Sequence, residues 1–293
     1  MPFGVKNVPA VFQREMNRVL SPVLNRCALV YIDDIIMYSP DFDSHMKDCA
    51  EVLTLITCSG MTLKPKKCHF GYRNIEALGH RISHAGIHTS PDKVTAVTEF
   101  KAPNGIGAVR TFLGLTGYYR KFIQNYATIA RPLTELTKKG CAFTRGPRQQ
   151  NAFDILKKCL CQEPILAAPD FSLPFIIYTD ASSFELRAVL AQVQGGEERV
   201  VCYLSRQTKD AESRYTPTEL ECLAVVWALD HLSVYVHGHP FTLRTDHSAL
   251  RQLFSLTPTN RRLAKWSLQL QDYRDWMTIE HRAGKSIGLV TPV

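Results

Sequence analysis

Apolar and polar positions alternate along the chain in a way that divides it into three blocks. In the first, 1–86, residues 10–20 read as a helix that opens at Pro9 and stops at Ser21-Pro22. Proline is tolerated in a first helical turn and breaks a helix further in. Two β-rich apolar runs, 28–31 and 35–38, flank Ile32-Asp33-Asp34 and predict a hairpin. A helix over 44–58, stopped by Ser59-Gly60, and a short strand over 77–83 complete this block. In the second, 87–150, helices are predicted over 91–100 and 106–126, separated by Pro103-Asn104-Gly105. Val109, Phe112, Leu113, Phe122, Ile123 and Tyr126 fall at helical spacing in the longer one. The polar stretch 140–149, with Gly146-Pro147, reads as a linker. In the third, 151–293, strands are predicted over 175–180, 188–192, 200–204 and 241–246, and helices over 218–232 and 262–273. Three strands, a helix and a further strand make an α/β or α+β layer.

Composition narrows the class. The chain has 293 residues, enough for two domains or three small ones. Its 45% apolar and 21% charged residues exclude wholesale disorder. The longest apolar run, 28–37, is interrupted by Asp33 and Asp34, far from the ~20 clean residues of a membrane span. No membrane partner is expected, and no secretory pattern opens the sequence. Nine cysteines, none in a C-x-x-C pair, predict a reduced intracellular chain with structural thiols. His80, His84 and His88 are four apart, but Gly86 and strand-like surroundings argue against a shared metal-binding face. The net charge of +8 is concentrated. Segment 101–148 carries Lys101, Arg110, Arg120, Lys121, Arg131, Lys138, Lys139, Arg145 and Arg148 against Glu135 alone. Such a belt suits a polyanion, since neutralising phosphates releases counterions; a solvated charged face is the plain alternative.

Two sets of acids stand out. Asp33 and Asp34 sit together at the turn of an apolar hairpin. Like charges so placed need a compensating cation or hydrogen-bond donor, or else lie open to solvent in an Asp-rich turn. Mg²⁺ commonly takes one or two protein carboxylates plus phosphate oxygens. In the third block, Thr179-Asp180-Ala181-Ser182 and Thr245-Asp246-His247-Ser248 share T-D-x-S, each with its aspartate at a strand end. Between them Glu221 lies near the start of a helix, with Ala224 and Ala228 on its face. Small residues there let a helix approach a sheet closely. The competing assignment is a capping box, since Thr218-x-x-Glu221 fits that pattern.

These residues lie within a longer, collinear resemblance. Met1-Pro2-Phe3-Gly4-Val5-Lys6-Asn7-Val8-Pro9-Ala10-Val11-Phe12-Gln13 resembles the template- and nucleotide-contacting motif of gypsy-like LTR-retrotransposon reverse transcriptases, and Val30-Tyr31-Ile32-Asp33-Asp34-Ile35 resembles their catalytic hairpin. Leu63-Lys64-Pro65-Lys66-Lys67-Cys68-His69-Phe70 is similar to the lysine motif that follows, and Ala77-Leu78-Gly79-His80 to the primer grip. Val109-Arg110-Thr111-Phe112-Leu113-Gly114-Leu115, with Tyr118-Tyr119-Arg120-Lys121-Phe122-Ile123, resembles the thumb. Asp180, Glu221 followed by Cys-Leu-Ala-Val, and Asp246 resemble the acids of the ribonuclease H module that follows, with Glu219 ranked second to Glu221.

The resemblance implies a partial polymerase palm over 1–86, a helical thumb and linker over 87–150, and a ribonuclease H-like mixed sheet with flanking helices over 151–293. It implies an RNA-directed DNA polymerase and ribonuclease H with two Mg²⁺ (or Mn²⁺) ions per active site, roughly 3.5–4 Å apart. Asp33 and Asp34 would hold one pair; Asp180, Glu221 and Asp246 the other. Phe3, Gly4, Lys67, Gly79, Arg110, Arg120 and Lys121 would contact nucleic acid, either a template–primer duplex or an RNA–DNA hybrid. The implied place of action is a cytoplasmic particle or the nucleus. Two positions depart from the family pattern. Thr291 stands where a further aspartate is usual, and Arg187 where a small glycine precedes Ala188-Val189-Leu190. A cation beside Asp180 could compete with metal, so a catalytically inactive, nucleic-acid-binding remnant is the alternative reading. In the family one polymerase aspartate comes from a strand upstream of the motif at residues 1–13, so deoxynucleotides are expected as partners only with that preceding part. The purified 293-residue chain is accordingly expected not to extend a primer, and a primer-extension assay checks this.

Overall fold

A computed structural model of the protein describes residues 6–162, 164–245 and 261–281. The chain divides into two units, Met1–Leu78 and Gly79–Val293.

In the first unit, α1 (Val8–Val19) has Pro9 in its opening turn, where the missing N–H costs no hydrogen bond. Phe12, Met16 and Leu20 recur four apart and turn one face toward a core shared with Val23, Cys27, Ala28, Val52 and Ile56. Strands β1 (Ala28–Tyr31) and β2 (Asp34–Met37) form the expected antiparallel hairpin, with Tyr31 opposite Asp34. Helix α2 (Phe42–Cys58) begins two residues earlier than its apolar pattern predicts. Asp41 sets that start: its Oδ1 accepts from the Ser44 N–H at 2.8 Å. The same bond holds the Asp41 carboxyl below its ordinary value. Strand β3 (Ile75–Ala77) ends the unit.

The predicted strand over 77–83 is instead two strands, because Leu78 (φ 49°) and Gly79 (φ 70°) adopt left-handed backbone between them. In the second unit, β4 (His80–Ser83) pairs antiparallel with β5 (Gly86–Thr89), and β5 with β6 (Ile165–Leu166). Four helices follow β5: α3 (Pro91–Thr98), α4 (Ile106–Tyr118), α5 (Tyr126–Glu135) and α6 (Pro147–Cys161). The single helix predicted over 106–126 therefore breaks. A 3₁₀ turn at Arg120–Phe122 and a left-handed Asn125 (φ 58°) separate α4 from α5. The periodicity misleads there because Phe122 and Ile123 are buried in the same core as Phe112, although no α-helix carries them. The predicted linker is also shorter, since α6 starts at Pro147.

Strands β7 (Phe175–Ala181), β8 (Glu185–Gln194) and β9 (Glu197–Gln207) form an antiparallel meander. Strands β10 (Phe241–Thr245) and β11 (Met277–His281) add in parallel beyond β7, giving the order β11-β10-β7-β8-β9. The sheet is mixed, as expected, and both its faces are covered. Ile176, Tyr178, Val189 and Tyr203 pack with Phe112, Phe122, Phe153 and Leu156 from the preceding helical region. Phe175, Ile177, Ala188 and Leu190 face α7 (Pro217–Val236) and α8 (Arg261–Gln271). Adjacent residues of β7 thus feed opposite cores, which is why it reads as a continuous apolar run. Blocks 87–150 and 151–293 share one of those cores. Cys202 and Cys222 are buried, and burial pushes both thiols up to about 12, as befits structural cysteines. Among the described residues no helix is long and apolar enough to cross a membrane.

Gly86 makes the β5–β6 pairing possible. Its φ is 137°, and a Cβ there would collide with the Leu166 carbonyl oxygen. Gly86→Ala is expected to destabilise the second unit by about 3 kcal/mol, combining backbone strain with displacement of β6. Chemical denaturation of the two proteins side by side checks this.

Candidate functional site

The hairpin acids stand at the tip of β1–β2, and both Asp33 and Asp34 are exposed. The turn is unusual because Ile32, a β-branched residue, has φ 55°. Gln13 on α1 holds it: the Ile32 N–H donates to Gln13 Oε1 at 2.6 Å, and Gln13 Nε2 donates to the Val30 carbonyl at 3.1 Å. One amide side chain thus holds the β1 side of the hairpin where it enters the turn. Gln13 lies within the motif quoted from the sequence, but spacing alone carries no sign of this contact, which joins residues 19 apart.

The second set of acids is built on the sheet. Asp180 is the penultimate residue of β7, and Glu221 lies in the second turn of α7. Ala224 and Ala228 are fully buried on the same helix, letting α7 lie close against β7. Glu221 is 7% exposed, and its Oε1 accepts from the Ala181 N–H at 3.3 Å, one residue beyond Asp180. The capping box that competed for Glu221 is elsewhere. Thr216 Oγ1 accepts from the Glu219 N–H at 3.3 Å, and Glu219 Oε2 accepts from the Thr216 N–H at 2.9 Å. The register differs by two from the Thr218–Glu221 pattern because Pro217, with no N–H to satisfy, takes the first helical position. Glu219 is further engaged by Arg262, whose Nη1 donates to Oε1 at 2.6 Å. Glu219 therefore caps the helix, and Glu221 is the acid that bonds the end of β7, at the Ala181 N–H. Asp246, Phe3, Gly4 and Thr291 lie outside the described residues. Thr245, which precedes Asp246, is buried at the end of β10.

Asp180 has a partner. The β7–β8 register places Arg187 directly opposite it, and the Arg187 guanidinium forms an ion pair with Asp180 Oδ2. Arg187 Nη1 also donates to Asn125 Oδ1 at 3.3 Å. Glu185 on the same strand is buried and accepts from the Thr128 N–H at 3.1 Å, satisfying a free donor at the start of α5. Ser205 Oγ accepts from the Ala127 N–H at 2.9 Å in the same way. None of these sheet-to-helix contacts is visible in sequence spacing.

The basic belt is largely exposed. Lys101, Arg110, Arg120, Lys138, Lys139, Arg145 and Arg148 face solvent, whereas Arg131 pairs with Glu135 at 3.0 Å. Lys121 is half-buried, 5.5 Å over the Phe122 ring, and burial lowers its pKa. Lys67 is exposed on a 3₁₀ turn of the first unit. At Gly79 the Tyr119 hydroxyl donates to the carbonyl oxygen at 2.6 Å. His80 stacks on Tyr118, ring centroids 5.4 Å apart. Burial, with the Lys121 charge nearby, pushes His80 down to about 4.

The donor chemistry at the two acid sites differs. Asp33 and Asp34 are hard oxygen donors open to solvent, suited to a divalent cation bridging to phosphate. At the sheet, the Asp180 carboxylate is already neutralised by Arg187. Among the described residues no cluster of three or more His, Cys, Asp or Glu side chains is placed to hold a metal ion. With its carboxylate paired to Arg187, Asp180 is not open to a metal ion as Asp33 and Asp34 are.

Two family models match the chain. Residues 1–82 match the family model of reverse transcriptase (RNA-dependent DNA polymerase), and residues 170–273 that of the RNase H-like domain found in reverse transcriptase. The retrovirus-related Pol polyprotein from transposon 297 of Drosophila melanogaster is 39% identical over 286 residues, covering 97% of this chain and 26% of its own length. That from transposon opus of the same organism is 36% identical, covering 98% of this chain and 30% of its own length. The chain thus spans between a quarter and a third of these relatives. In fold it is similar to the foamy viral protease-reverse transcriptase. The structure in complex with RNA/DNA hybrid has a TM-score of 0.82 at 21% identity, over 100% of this chain and 40% of that one. The structure in complex with dsDNA has a TM-score of 0.81 at 20% identity, over 97% and 60%.

The depressed His80 pKa has a consequence for stability. Between its ordinary value near 6.5 and the folded value of about 4, the unfolded chain binds a proton that the folded chain does not. Stability is therefore expected to fall as pH drops through that window. His80→Phe, which keeps a ring against Tyr118 and Phe122, is expected to flatten the dependence, as followed by urea denaturation at pH 7, 5.5 and 4.

Proposed function

Because the chain belongs to the Pol polyproteins of gypsy-type LTR retrotransposons and carries their reverse-transcriptase and ribonuclease H-like segments in order, we propose that it grips a nucleic-acid duplex, either template–primer or RNA–DNA hybrid. The grip is made by phosphate contacts from the exposed cations of segment 101–148. The observation that carries this reading is the charge distribution. Seven exposed cations lie in one segment, on the unit that also holds the ribonuclease H-like sheet. Foamy viral relatives in fold have been captured with RNA/DNA hybrid and with dsDNA, which supports a duplex as the ligand. Within this reading 1–86 is the palm part, 87–150 the thumb and linker, and 151–293 the ribonuclease H-like part.

The two acid sites take different roles. Asp33 and Asp34 would hold Mg²⁺ or Mn²⁺ at the polymerase hairpin, where the ion would neutralise phosphate charge. Gln13 positions them by fixing the turn. By resemblance, Phe3, Gly4 and Lys67 in the first unit, and Gly79 in the second, would each contact nucleic acid. Asp180, Glu221 and Asp246 form the ribonuclease H-like acid set, whose substrate would be the RNA strand of a hybrid. There the Arg187 ion pair favours the second reading, in which this half binds a hybrid and does not cleave it.

Binding of a labelled RNA–DNA hybrid, followed by fluorescence anisotropy across a salt series, tests the grip. Affinity is expected to fall steeply with salt. Arg110→Ala combined with Arg120→Ala should weaken binding and lower the salt slope by about one per lost charge. A slope unchanged by the double substitution would remove the belt from the interface.

A further inference from the structure

We propose that Arg187 is a built-in cation of the ribonuclease H-like site, and that it takes Asp180 out of service as a metal ligand. This rests on the assignment of Asp180 to that site. Four observations carry it.

Position comes first. Arg187 is the cross-strand partner of Asp180 in the β7–β8 ladder, so the two side chains leave the same face of the sheet as direct neighbours. The register puts the two side chains side by side, with Asp180 within reach of the Arg187 guanidinium. Second, the guanidinium is held at two points, by Asp180 Oδ2 and by Asn125 Oδ1 at 3.3 Å. Asn125 is itself set by its left-handed backbone at the start of α5. Third, the pair is partly shielded, with side-chain exposures of 33% for Arg187 and 22% for Asp180. A charge-assisted bond in that setting is stronger than the same pair in open water. Fourth, the other described acid of the site is also engaged, since Glu221 Oε1 accepts from the Ala181 N–H.

The electrostatics follow directly. Without Arg187, Asp180 would present a bare carboxylate to an incoming ion. With Arg187 in place that charge is balanced. A divalent ion seeking Asp180 must displace a guanidinium that stays charged at every accessible pH and carries several donors in a rigid fork. Arginine cannot replace the ion in chemistry, because it offers no exchangeable position for water. The site is thereby converted from one that recruits a metal to one that is neutralised from within.

Isothermal titration of the full chain with Mn²⁺, without nucleic acid, tests this. In the unaltered chain, Asp180→Asn should leave the Mn²⁺ isotherm unchanged, because Asp180 is not a ligand there. Arg187→Ala should add a binding event, or tighten one, by about ten- to hundredfold, the scale on which groups bonded to metal ligands tune affinity. Adding Asp180→Asn to Arg187→Ala should abolish that gain, and Arg187→Lys should show none. Loss of bound Mn²⁺ on Asp180→Asn in the unaltered chain overturns the proposal, as does an Arg187→Ala isotherm identical to that of the unaltered chain. The first comparison needs no change at Arg187 and so stands even if Arg187→Ala fails to fold. Hybrid binding by the same proteins is read separately: its absence would sink the duplex-gripping function, while the Mn²⁺ isotherms report on Arg187 alone.

Discussion

Strand β7 is sealed on both faces, and that single constraint fixes much of what surrounds it. Phe175 and Ile177 enter one core while Ile176 and Tyr178 enter the other. With a side-chain period of two, a slip of one residue would exchange the cores and bury the wrong surface on each side. The strand is therefore locked in register, and the residues where it emerges from packing, Asp180 and Ala181, are locked with it. Asp180 owes its place to that lock. Glu221 owes its own to a helix brought close by buried alanines. The same register sets Arg187 against Asp180, so the geometry that builds an acid site also installs its neutralising charge.

The two acid sites illustrate opposite ways of handling adjacent carboxylates. At the hairpin, Asp33 and Asp34 are left in solvent, where water screens their repulsion. The cost falls on the backbone, through a left-handed Ile32, and Gln13 offsets it with a pair of hydrogen bonds. At the sheet, desolvation is greater, and the charge is balanced locally by a guanidinium and a backbone N–H. Open and half-buried carboxylates differ in how readily a cation can reach them, and here that difference separates the hairpin from the sheet.

The helical region before the sheet is tied to it by more than apolar contact. The first N–H groups of α5, which no helical carbonyl can satisfy, are met by Ser205 and Glu185 from β9 and β8. A carboxylate at a helix N-terminus is also favoured by the helix dipole. Asn125, at the same helix start, takes the second arm of Arg187. The segment bearing the basic belt and the sheet bearing Asp180 thus share a core and a polar clasp.

The sequence by itself determined strands β7 to β10, helix α7 and the likeness to reverse-transcriptase and RNase H-like segments, while β5, β6, α6 and β11 escaped it. What it determined depends on local patterning, on turn chemistry and on motifs whose residues are near one another in the chain. Three of its misreadings have physical causes. The helix over 106–126 was read through a break because apolar spacing records burial, and a 3₁₀ turn buries Phe122 as well as a helix does. The strand over 77–83 was read through Leu78 and Gly79 because left-handed backbone leaves no mark on hydropathy. The capping box was placed two residues late because the pattern occurs at both Thr216 and Thr218, and only hydrogen bonds choose between them. Arg187 was visible as an odd residue, yet whether it paired with Asp180 was not, since seven residues of sequence separate them. Tertiary structure decided that question, as it decided the Gln13 clamp and the clasp on α5, because strand register and helix docking are properties of the whole core.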